Sequence, residues 1–333
     1  MQALFLEKIG KLSLKAIPIP APADGEILLC ITHCGICRSD AKMFHSGHHA
    51  MRLPRILGHE ICGYNEQTGE SFVIWPGDSC GKCEPCRNGS ENLCEKMRIM
   101  GFDHNGGFTE YIAVKQQNLI PVPTTLPHAI ACMAEPLACA VNALEQSNIT
   151  PDEHLLIIGG GTLGVMLAIA AATAAAKPLV VETNAKKLSK LKKIIADTTI
   201  KSASTIPEEK FDHVINAAPS IDTLTSGLTA LKPSGTFTYF SSFSNSELTT
   251  SILNTIHYRQ LKLIGAYGCT RAQMQTAINL LNHSQTLFSK LIDNTINLNE
   301  AAAVFPEIME GPGYRTIVNS RCTQKGDLSG SSH

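Results

Sequence analysis

Closely spaced glycines interrupt the longest uncharged stretch of the chain, residues 155–176. Gly159 permits a tight turn, Gly161 lets a ligand approach the backbone, and Gly164 allows a helix to pack closely on a strand. The stretch is long enough to span a bilayer. However, the glycines and the alanines after them favour a buried strand, a turn and a buried helix through residue 177. We therefore expect this segment to form the core of a domain.

Strand-like and helix-like segments alternate beyond this turn. The expected strands are 155–158, 179–182, 212–217, 235–240 and 261–265, and a helix is expected at 185–195. This alternation predicts parallel βαβ units in a doubly wound sheet, which is an α/β fold.

The part of the chain before this region has a different character. It is rich in Gly, Pro, Cys and His, and short strand-like runs occur at 26–32, 71–75 and 109–114. Short strands separated by glycine and proline indicate an irregular all-β or α+β domain. Beyond residue 268, two helices (272–282 and 300–310) and a strand (315–319) are expected to return to that first domain. The predicted domains are 1–138 with 269–325, and 139–268, followed by a disordered tail at 326–333.

The glycine turn also has the features of a phosphate-binding loop. The helix that begins at Thr162 and Leu163 presents N–H donors and the positive end of its dipole. Glu182 lies 18 residues beyond Gly164, close to the spacing of about 20 residues expected for an acid that binds a nucleotide ribose. A carboxylate there repels a 2′-phosphate, so NAD is favoured over NADP. The lysine pair at 186–187 either softens that repulsion or forms a solvated helix face.

The densest cluster of metal-binding side chains is formed by Cys80, Cys83, Cys86 and Cys94. Four thiolates at this spacing suit the tetrahedral shell of zinc, and a shell closed by four protein ligands has a structural role. Unligated thiols and an iron–sulfur cluster are the alternatives, but the spacing fits ferredoxins poorly. A zinc ribbon that binds nucleic acid is disfavoured because the lobe has little excess positive charge.

Charge and cysteine content restrict the class of protein further. With 28 Lys+Arg and 29 Asp+Glu, the net charge is -1, which argues against nucleic-acid binding. The first 14 residues lack the basic start, apolar run and cleavage site of a signal peptide. We therefore expect a cytoplasmic protein whose 12 cysteines are thiols and metal ligands rather than a disulfide framework.

Three further motifs accompany the four-cysteine lobe and the glycine turn. They are Gly35-Ile-Cys37-Arg-Ser39-Asp40, Gly58-His59-Glu60 and Glu135-Pro136-Leu137-Ala138. With these five motifs in order, nearly the whole chain resembles the zinc-dependent medium-chain dehydrogenase/reductase family. Within that family it resembles the alcohol and polyol branch, which includes sorbitol and threonine dehydrogenases. The resemblance implies a GroES-like catalytic domain and a Rossmann cofactor domain.

The same resemblance implies a catalytic zinc ion held by Cys37, His59 and Glu135, with a fourth position open. Glu60 would enter this shell transiently. Asp40 would orient the ligand histidine and tune its basicity. The carboxylate at position 135 is similar to the polyol branch.

Three other positions are implied to serve the substrate or the cofactor. Ser39 would contact the substrate hydroxyl and begin a proton relay. Many relatives have a relay histidine where this chain has Lys42, so the proton leaves through Lys42, a water chain or His45. Arg38 would either reach the cofactor pyrophosphate or form a salt bridge.

The expected activity is hydride transfer between a secondary alcohol and NAD, with two zinc ions per chain. The favoured alcohols are polyols, amino alcohols and cyclitol-like compounds. The alternatives are a physiological ketone or aldehyde reductase using NADH or NADPH, and a non-catalytic dinucleotide-binding sensor. The resemblance also implies a homodimer or homotetramer, joined along the sheet edge at 261–265. The charge balance and the glycine-interrupted apolar stretch argue against nucleic-acid and membrane partners.

Overall fold

The computed structural model of the protein describes residues 1–48, 51–195, 199–201, 206, 210–218, 222–241, 248–309 and 313–320. The predicted tail at 326–333 and the predicted domain end at 321–325 lie outside these ranges. Contacts between residues divide the chain into two compact units. The first comprises Met1–Pro136 and the chain from Thr270 onward, and the second comprises Leu137–Cys269.

The first unit begins with short strands and few helices. Its elements are β1 (Gln2–Lys8), β2 (Lys11–Ala16), β3 (Glu26–Gly35), α1 (Arg38–Ser46), β4 (Arg55–Ile56), β5 (Glu60–Tyr64), β6 (Ser71–Ile74), β7 (Gly77–Asp78), α2 (Glu84–Arg87), β8 (Arg98–Ile99), β9 (Tyr111–Lys115), β10 (Leu119–Pro121) and α3 (His128–Ala131). Helix α4 (Ala134–Gln146) then leads into the second unit.

The second unit alternates strands and helices. Its elements are β11 (His154–Ile158), α5 (Thr162–Thr173), β12 (Lys177–Val181), α6 (Ala185–Ile194), β13 (Thr199–Lys201), β14 (Phe211–Asn216), α7 (Asp222–Ala230), β15 (Leu231–Tyr239), α8 (Thr250–Tyr258) and β16 (Lys262–Gly265). The chain then returns to the first unit as α9 (Arg271–His283), α10 (Gln285–Ser289), β17 (Ile292–Asn297), α11 (Ala301–Val304) and β18 (Arg315–Asn319).

In the main sheet of the first unit, β3 lies between β5 and β18. The strand order is β10-β6-β5-β3-β18-β17, and β9 also pairs with β3. Gly35 at the end of β3 is opposite Glu60 at the start of β5, and it is also opposite Ile317 of β18. This register brings the turn after β3 next to the turn before β5. Apolar side chains from β3, β5 and α1 fill the core beneath, including Ile31, Ile61 and Met43.

The second unit is a six-stranded sheet in which all neighbouring strands are parallel. The order is β13-β12-β11-β14-β15-β16. Numbered within the sheet this is 3-2-1-4-5-6, the order of dinucleotide-binding folds. Ligands of such sheets bind beyond the carboxyl ends of the strands, where the strand order reverses. Here that position lies between β11 and β14, next to the glycine turn.

The helix expected to continue through residue 177 ends at Thr173, so that part of the prediction is wrong. Ala175 has φ +60°, outside the helical region. Lys177 pairs with His154 as the first residue of β12. Pairing with β11 therefore places Lys177 in a strand, although the alanine-rich sequence before it favours a helix. Among the described residues, no helix is long and apolar enough to cross a bilayer.

The helix expected at 300–310 is also shorter in the structure. Regular helix covers Ala301–Val304 only, and a 3-10 turn follows at Phe305–Glu307. Pro306 explains the change, because proline lacks the N–H that would continue the helix. Residue 310 lies outside the described ranges.

Candidate functional site

Cys37 immediately precedes α1, in the turn between β3 and that helix. Asp40, in the first turn of α1, is fully buried. Its Oδ2 accepts the backbone N–H of Cys37 at 2.9 Å, and its Oδ1 accepts the N–H of Gly58 at 3.2 Å. One carboxylate therefore joins the turn that carries Cys37 to the turn that precedes His59.

The same carboxylate orients the imidazole of His59. Nδ1 of His59 lies 3.3 Å from Asp40 Oδ1, whereas Nε2 lies 3.5 Å from the Ser39 hydroxyl. The ring also packs on Phe102, with 5.4 Å between the ring centroids. A carboxylate on one ring nitrogen fixes the tautomer and leaves the other nitrogen available to a metal ion.

Cys37, His59 and Glu60 form a candidate metal centre. One donor atom from each residue lies within 4.8 Å of the other two. Glu60 is fully buried, and its Oε1 has no hydrogen-bond partner. Its Oε2 forms an ion pair with Arg315 of β18. A thiol, an imidazole and a carboxylate match the S, N and O ligands of zinc, so these residues fit the metal that the sequence predicted.

The electrostatics of this centre favour a thiolate next to an imidazolium when no metal is bound. Burial raises the pKa of the Cys37 thiol, but the hydrogen bond and charge of His59 outweigh it and leave that pKa lowered. Burial lowers the pKa of His59, but the charge of Asp40 outweighs it and leaves that pKa well raised. The thiolate is the form of cysteine that binds a metal ion.

Glu135 does not belong to the group formed by Cys37, His59 and Glu60. It lies in the first turn of α4. Lys42 and His45, the two relay candidates, are both exposed on α1. Arg38, expected near the cofactor or in a salt bridge, is exposed and donates to the carbonyl of Met309 at 3.0 Å.

The second metal-binding group is formed by the four cysteines of the lobe, whose Sγ atoms all lie within 4.8 Å of one another. Cys83 Sγ is 3.4 Å from Cys86 Sγ and 3.8 Å from Cys94 Sγ. Tetrahedral zinc with bonds of about 2.3 Å requires sulfur–sulfur distances of about 3.8 Å. Backbone N–H groups of Lys82 and Cys83 lower the pKa of Cys80 to about 6. The lobe therefore fits a zinc ion held by thiolates.

An ion pair that the sequence did not predict connects this lobe to α9 of the same unit. Arg271, the first residue of α9, donates from Nε and Nη2 to the two carboxylate oxygens of Glu91, at 3.0 and 2.7 Å. Glu91 begins the short 3-10 turn before Cys94. The guanidinium also lies over Trp75, 5.4 Å from the ring centroid. A bidentate pair of this kind holds two segments in a defined geometry.

The glycine turn of the second unit has the geometry of a phosphate-binding loop. Gly159 has φ +108°, which favours glycine. A Cβ atom at Gly164 would lie 1.8 Å from the Gly159 carbonyl oxygen, so only glycine fits there. A Cβ atom at Gly161 would meet nothing within 4 Å. Open space therefore lies at the start of α5, where Thr162 and Leu163 begin the helix and its dipole favours an anion.

Glu182 follows β12 and lies beside this turn. Its Oε2 accepts the backbone N–H of Gly160 at 3.0 Å, and its Oε1 accepts that of Asn184 at 2.8 Å. Asn184 in turn caps α6 by accepting the N–H groups of Lys186 and Lys187. The carboxylate is thus fixed next to the phosphate-binding turn, and the residues of the second unit fit a dinucleotide.

Two family models match the chain. The alcohol dehydrogenase GroES-like domain matches residues 23–124, and the zinc-binding dehydrogenase domain matches residues 162–283. Together they cover about two thirds of the 333 residues. The prediction of a GroES-like domain followed by a Rossmann-type parallel sheet is confirmed.

Similar proteins are found over nearly the whole length. D-altritol 5-dehydrogenase from Agrobacterium fabrum is 26% identical over 330 residues, which is 94% of this chain and 97% of the relative. D-xylulose reductase A from Aspergillus oryzae is 25% identical over 347 residues, covering 95% of this chain and 96% of the relative. A solved structure from Sinorhizobium meliloti 1021, bound to NADP, has a TM-score of 0.85 at 24% identity and covers 96% of this chain and 98% of its own. The chain belongs to the zinc-dependent medium-chain dehydrogenase/reductase family, among its alcohol and polyol dehydrogenases.

Proposed function

We propose that the protein transfers hydride between a secondary alcohol of the polyol, amino alcohol or cyclitol class and NAD. The observation that carries this proposal is the group of Cys37, His59 and Glu60, whose donor atoms lie within 4.8 Å of one another. The names of the relatives, a D-altritol dehydrogenase and a D-xylulose reductase, support a hydroxyl-rich substrate. Zinc in such a site supplies Lewis acidity that stabilises negative charge on an alcohol oxygen.

The chain's own residues hold the site and move the proton. Asp40 holds the His59 imidazole through Nδ1, so that Nε2 is available as a ligand. The Ser39 hydroxyl, 3.5 Å from His59 Nε2, accepts the proton of the substrate hydroxyl. Lys42 and His45 are both exposed on the same helix and are the two candidates for passing the proton to solvent. Arg315 is the cation that faces the Glu60 carboxylate.

Two carboxylates are candidates for the third ligand of the catalytic metal. Glu135 is the residue that the family resemblance assigns to this role. Glu60 is the carboxylate whose oxygen lies within 4.8 Å of the donor atoms of Cys37 and His59. The donor distances therefore favour Glu60. In this arrangement a movement of Arg315 away from Glu60 would free the carboxylate for the metal.

The function is tested by following the absorbance of reduced nicotinamide with the zinc-loaded protein. A panel of polyols, aminocyclitols, threonine and simple secondary alcohols is expected to give turnover with one hydroxyl-rich class. The Cys37→Ser variant, which replaces the metal-binding thiolate, is expected to give none. Dinucleotide binding without turnover of any alcohol in the panel would contradict the proposed activity and favour the sensor.

The carboxylate of Glu182 is proposed to set the preference for NAD. Because a fixed carboxylate repels a 2′-phosphate, and like charges cost several kcal/mol at an interface, we expect kcat/KM to favour NAD over NADP by at least about 100-fold. Glu182→Gln is expected to reduce this preference to about tenfold or less. Asp152→Asn serves as the control, because it removes an exposed carboxylate that precedes β11 in the sequence. Equal use of both cofactors by the wild type would contradict this role.

We also propose a homodimer or homotetramer that pairs along β16, the last strand of the six-stranded sheet. Tyr258 and Tyr267, on either side of this strand, are 78% and 66% exposed. Sedimentation velocity is expected to show a dimer or tetramer for the wild type and smaller species for Ile264→Lys, which adds a charge to the strand. Both proteins should bind the same amount of zinc. A monomeric wild type at micromolar concentration would refute the proposed assembly.

A further inference from the structure

Two thiols that belong neither to the Cys37–His59–Glu60 group nor to the four-cysteine lobe lie close together in the second unit. Cys139 is in α4, and Cys269 follows β16. Their Sγ atoms lie within 4.8 Å of each other, and both cysteines are reduced in this structure. A disulfide requires the sulfur atoms to approach to about 2.05 Å.

Hydrogen bonds from α4 hold the two segments in register. Asn142 lies three residues after Cys139, so it lies near that cysteine on the helix surface. Its amide donates to the carbonyl of Tyr267 at 3.3 Å and to that of Gly268 at 3.0 Å. Gly268 has φ +60°, a turn that favours glycine. Asn142 is 2% exposed, so this buried amide fixes the two residues that immediately precede Cys269.

The two thiols differ in accessibility in a way that suits stepwise oxidation. Cys139 is partly exposed, whereas Cys269 is 5% exposed. A small disulfide reagent from solvent therefore reaches Cys139 first. Cys269 is then the neighbour within reach that resolves the mixed disulfide.

The position of the pair in the sequence determines what a bond between them would do. All six strands of the parallel sheet, from β11 to β16, lie between Cys139 and Cys269. A disulfide would therefore close a covalent loop of chain that contains all six strands. Closing a long loop restricts the unfolded chain more than closing a short one. The bond would thus stabilise the second unit against unfolding.

We propose that Cys139 and Cys269 are a reversible thiol–disulfide pair whose disulfide links the two ends of the dinucleotide-binding unit. The oxidant is a low-molecular-weight disulfide such as oxidised glutathione. The thiolate of Cys139 attacks it and forms a mixed disulfide, releasing one glutathione thiol. The thiol of Cys269 then attacks the Cys139 sulfur, forms the protein disulfide and releases the second glutathione. Two protein thiols are oxidised, and one glutathione disulfide is reduced to two thiols.

The test equilibrates the full-length, zinc-loaded protein with glutathione buffers of rising oxidised fraction. Remaining thiols are alkylated, and the disulfides are identified by peptide mass spectrometry. We expect the Cys139–Cys269 linkage to form before the four-cysteine lobe loses zinc, together with a rise in Tm. Cys139→Ser should abolish both changes. Cys62→Ala, which removes a buried thiol of β5, should keep both. None of these measurements uses an alcohol or a dinucleotide, so failure of the proposed function leaves this test intact.

A second variant separates positioning from the presence of two thiols. Asn142→Asp keeps both cysteines but removes the amide that donates to the two carbonyls. We expect about a tenfold smaller equilibrium constant for disulfide formation, the effect of two neutral hydrogen bonds. Alkylation of both cysteines as thiols at potentials where the lobe already loses zinc would overturn the proposal. Protection of both thiols by a metal ion that a chelator removes would also overturn it.

Discussion

The His59→Ala variant is expected to lose one zinc ion per chain and about 10³-fold in kcat/KM. The imidazole Nε2 is the donor that Asp40 leaves available, with Nδ1 3.3 Å from Asp40 Oδ1. Metal binding supplies several kcal/mol of charge stabilisation, and each 1.4 kcal/mol corresponds to about tenfold in rate. Asp40→Asn keeps all the donors but weakens their orientation, so it should lose about 10- to 100-fold. Zinc per chain is measured by mass spectrometry of metals, alongside steady-state kinetics.

His283→Ala, at the end of α9, is the matched control and should keep both zinc content and activity. The same zinc measurement decides between the two carboxylates. If Glu60 is the third ligand, Glu60→Gln loses one zinc ion and Glu135→Gln keeps it. The reverse pattern would assign the role to Glu135. A His59→Ala protein that retains full zinc and full turnover would exclude this centre as the active site.

The Cys94→Ser variant is expected to lose the other zinc ion and to lower the Tm of the first unit by about 6–12 °C. A structural zinc site contributes about 10–16 kcal/mol of apparent binding energy, and one of four ligands accounts for about 3 kcal/mol of it. A loss of 1 kcal/mol corresponds to about 2–4 °C in a domain of this size. The loss should be measured by differential scanning calorimetry in the presence of a reductant, because only reduced thiols bind the metal.

Cys139→Ser serves as the control for Cys94→Ser, since it also replaces a cysteine by serine but lies outside the four-cysteine lobe. Under reducing conditions it should keep its full zinc content and its Tm. Chelation of the wild type should reproduce the change seen in Cys94→Ser. An unchanged zinc content in Cys94→Ser would show that the lobe does not hold a metal through this thiolate.

The order of elements in the second unit could be predicted from local sequence patterns. The runs around β11, β14 and β16 are apolar and bounded by turn residues, and the structure has strands there. The boundary between α5 and β12 could not be predicted from local preference. Alanines favour a helix, but residues from Lys177 onward pair with β11. Such boundaries depend on which distant segments pair with each other, and a local sequence pattern carries no information about that pairing.

In the candidate site, too, some residues could be predicted from local motifs, whereas others come together only through pairing of distant segments. Cys37, His59 and Asp40 lie in short motifs whose spacing already indicates their roles. Arg315 belongs to β18, far along the chain from Glu60, and only the pairing of β18 with β3 brings the two charges together. Arg271 and Glu91 meet for a similar reason. Arg38 donates to the Met309 carbonyl, and its contact with the cofactor stays a prediction.

The position of β18 in the first sheet has a consequence for synthesis on the ribosome. This strand lies between β3 and β17, yet it is translated after the entire second unit. During elongation β3 has no neighbour on that side, and Glu60 has no arginine opposite it. The second unit is one continuous segment and can fold as soon as it emerges. The first unit cannot complete its sheet until β18, which carries Arg315, has been translated. A stalled or truncated chain would thus present a folded nucleotide-binding domain attached to an unfinished sheet with an exposed edge, the kind of intermediate that chaperones bind.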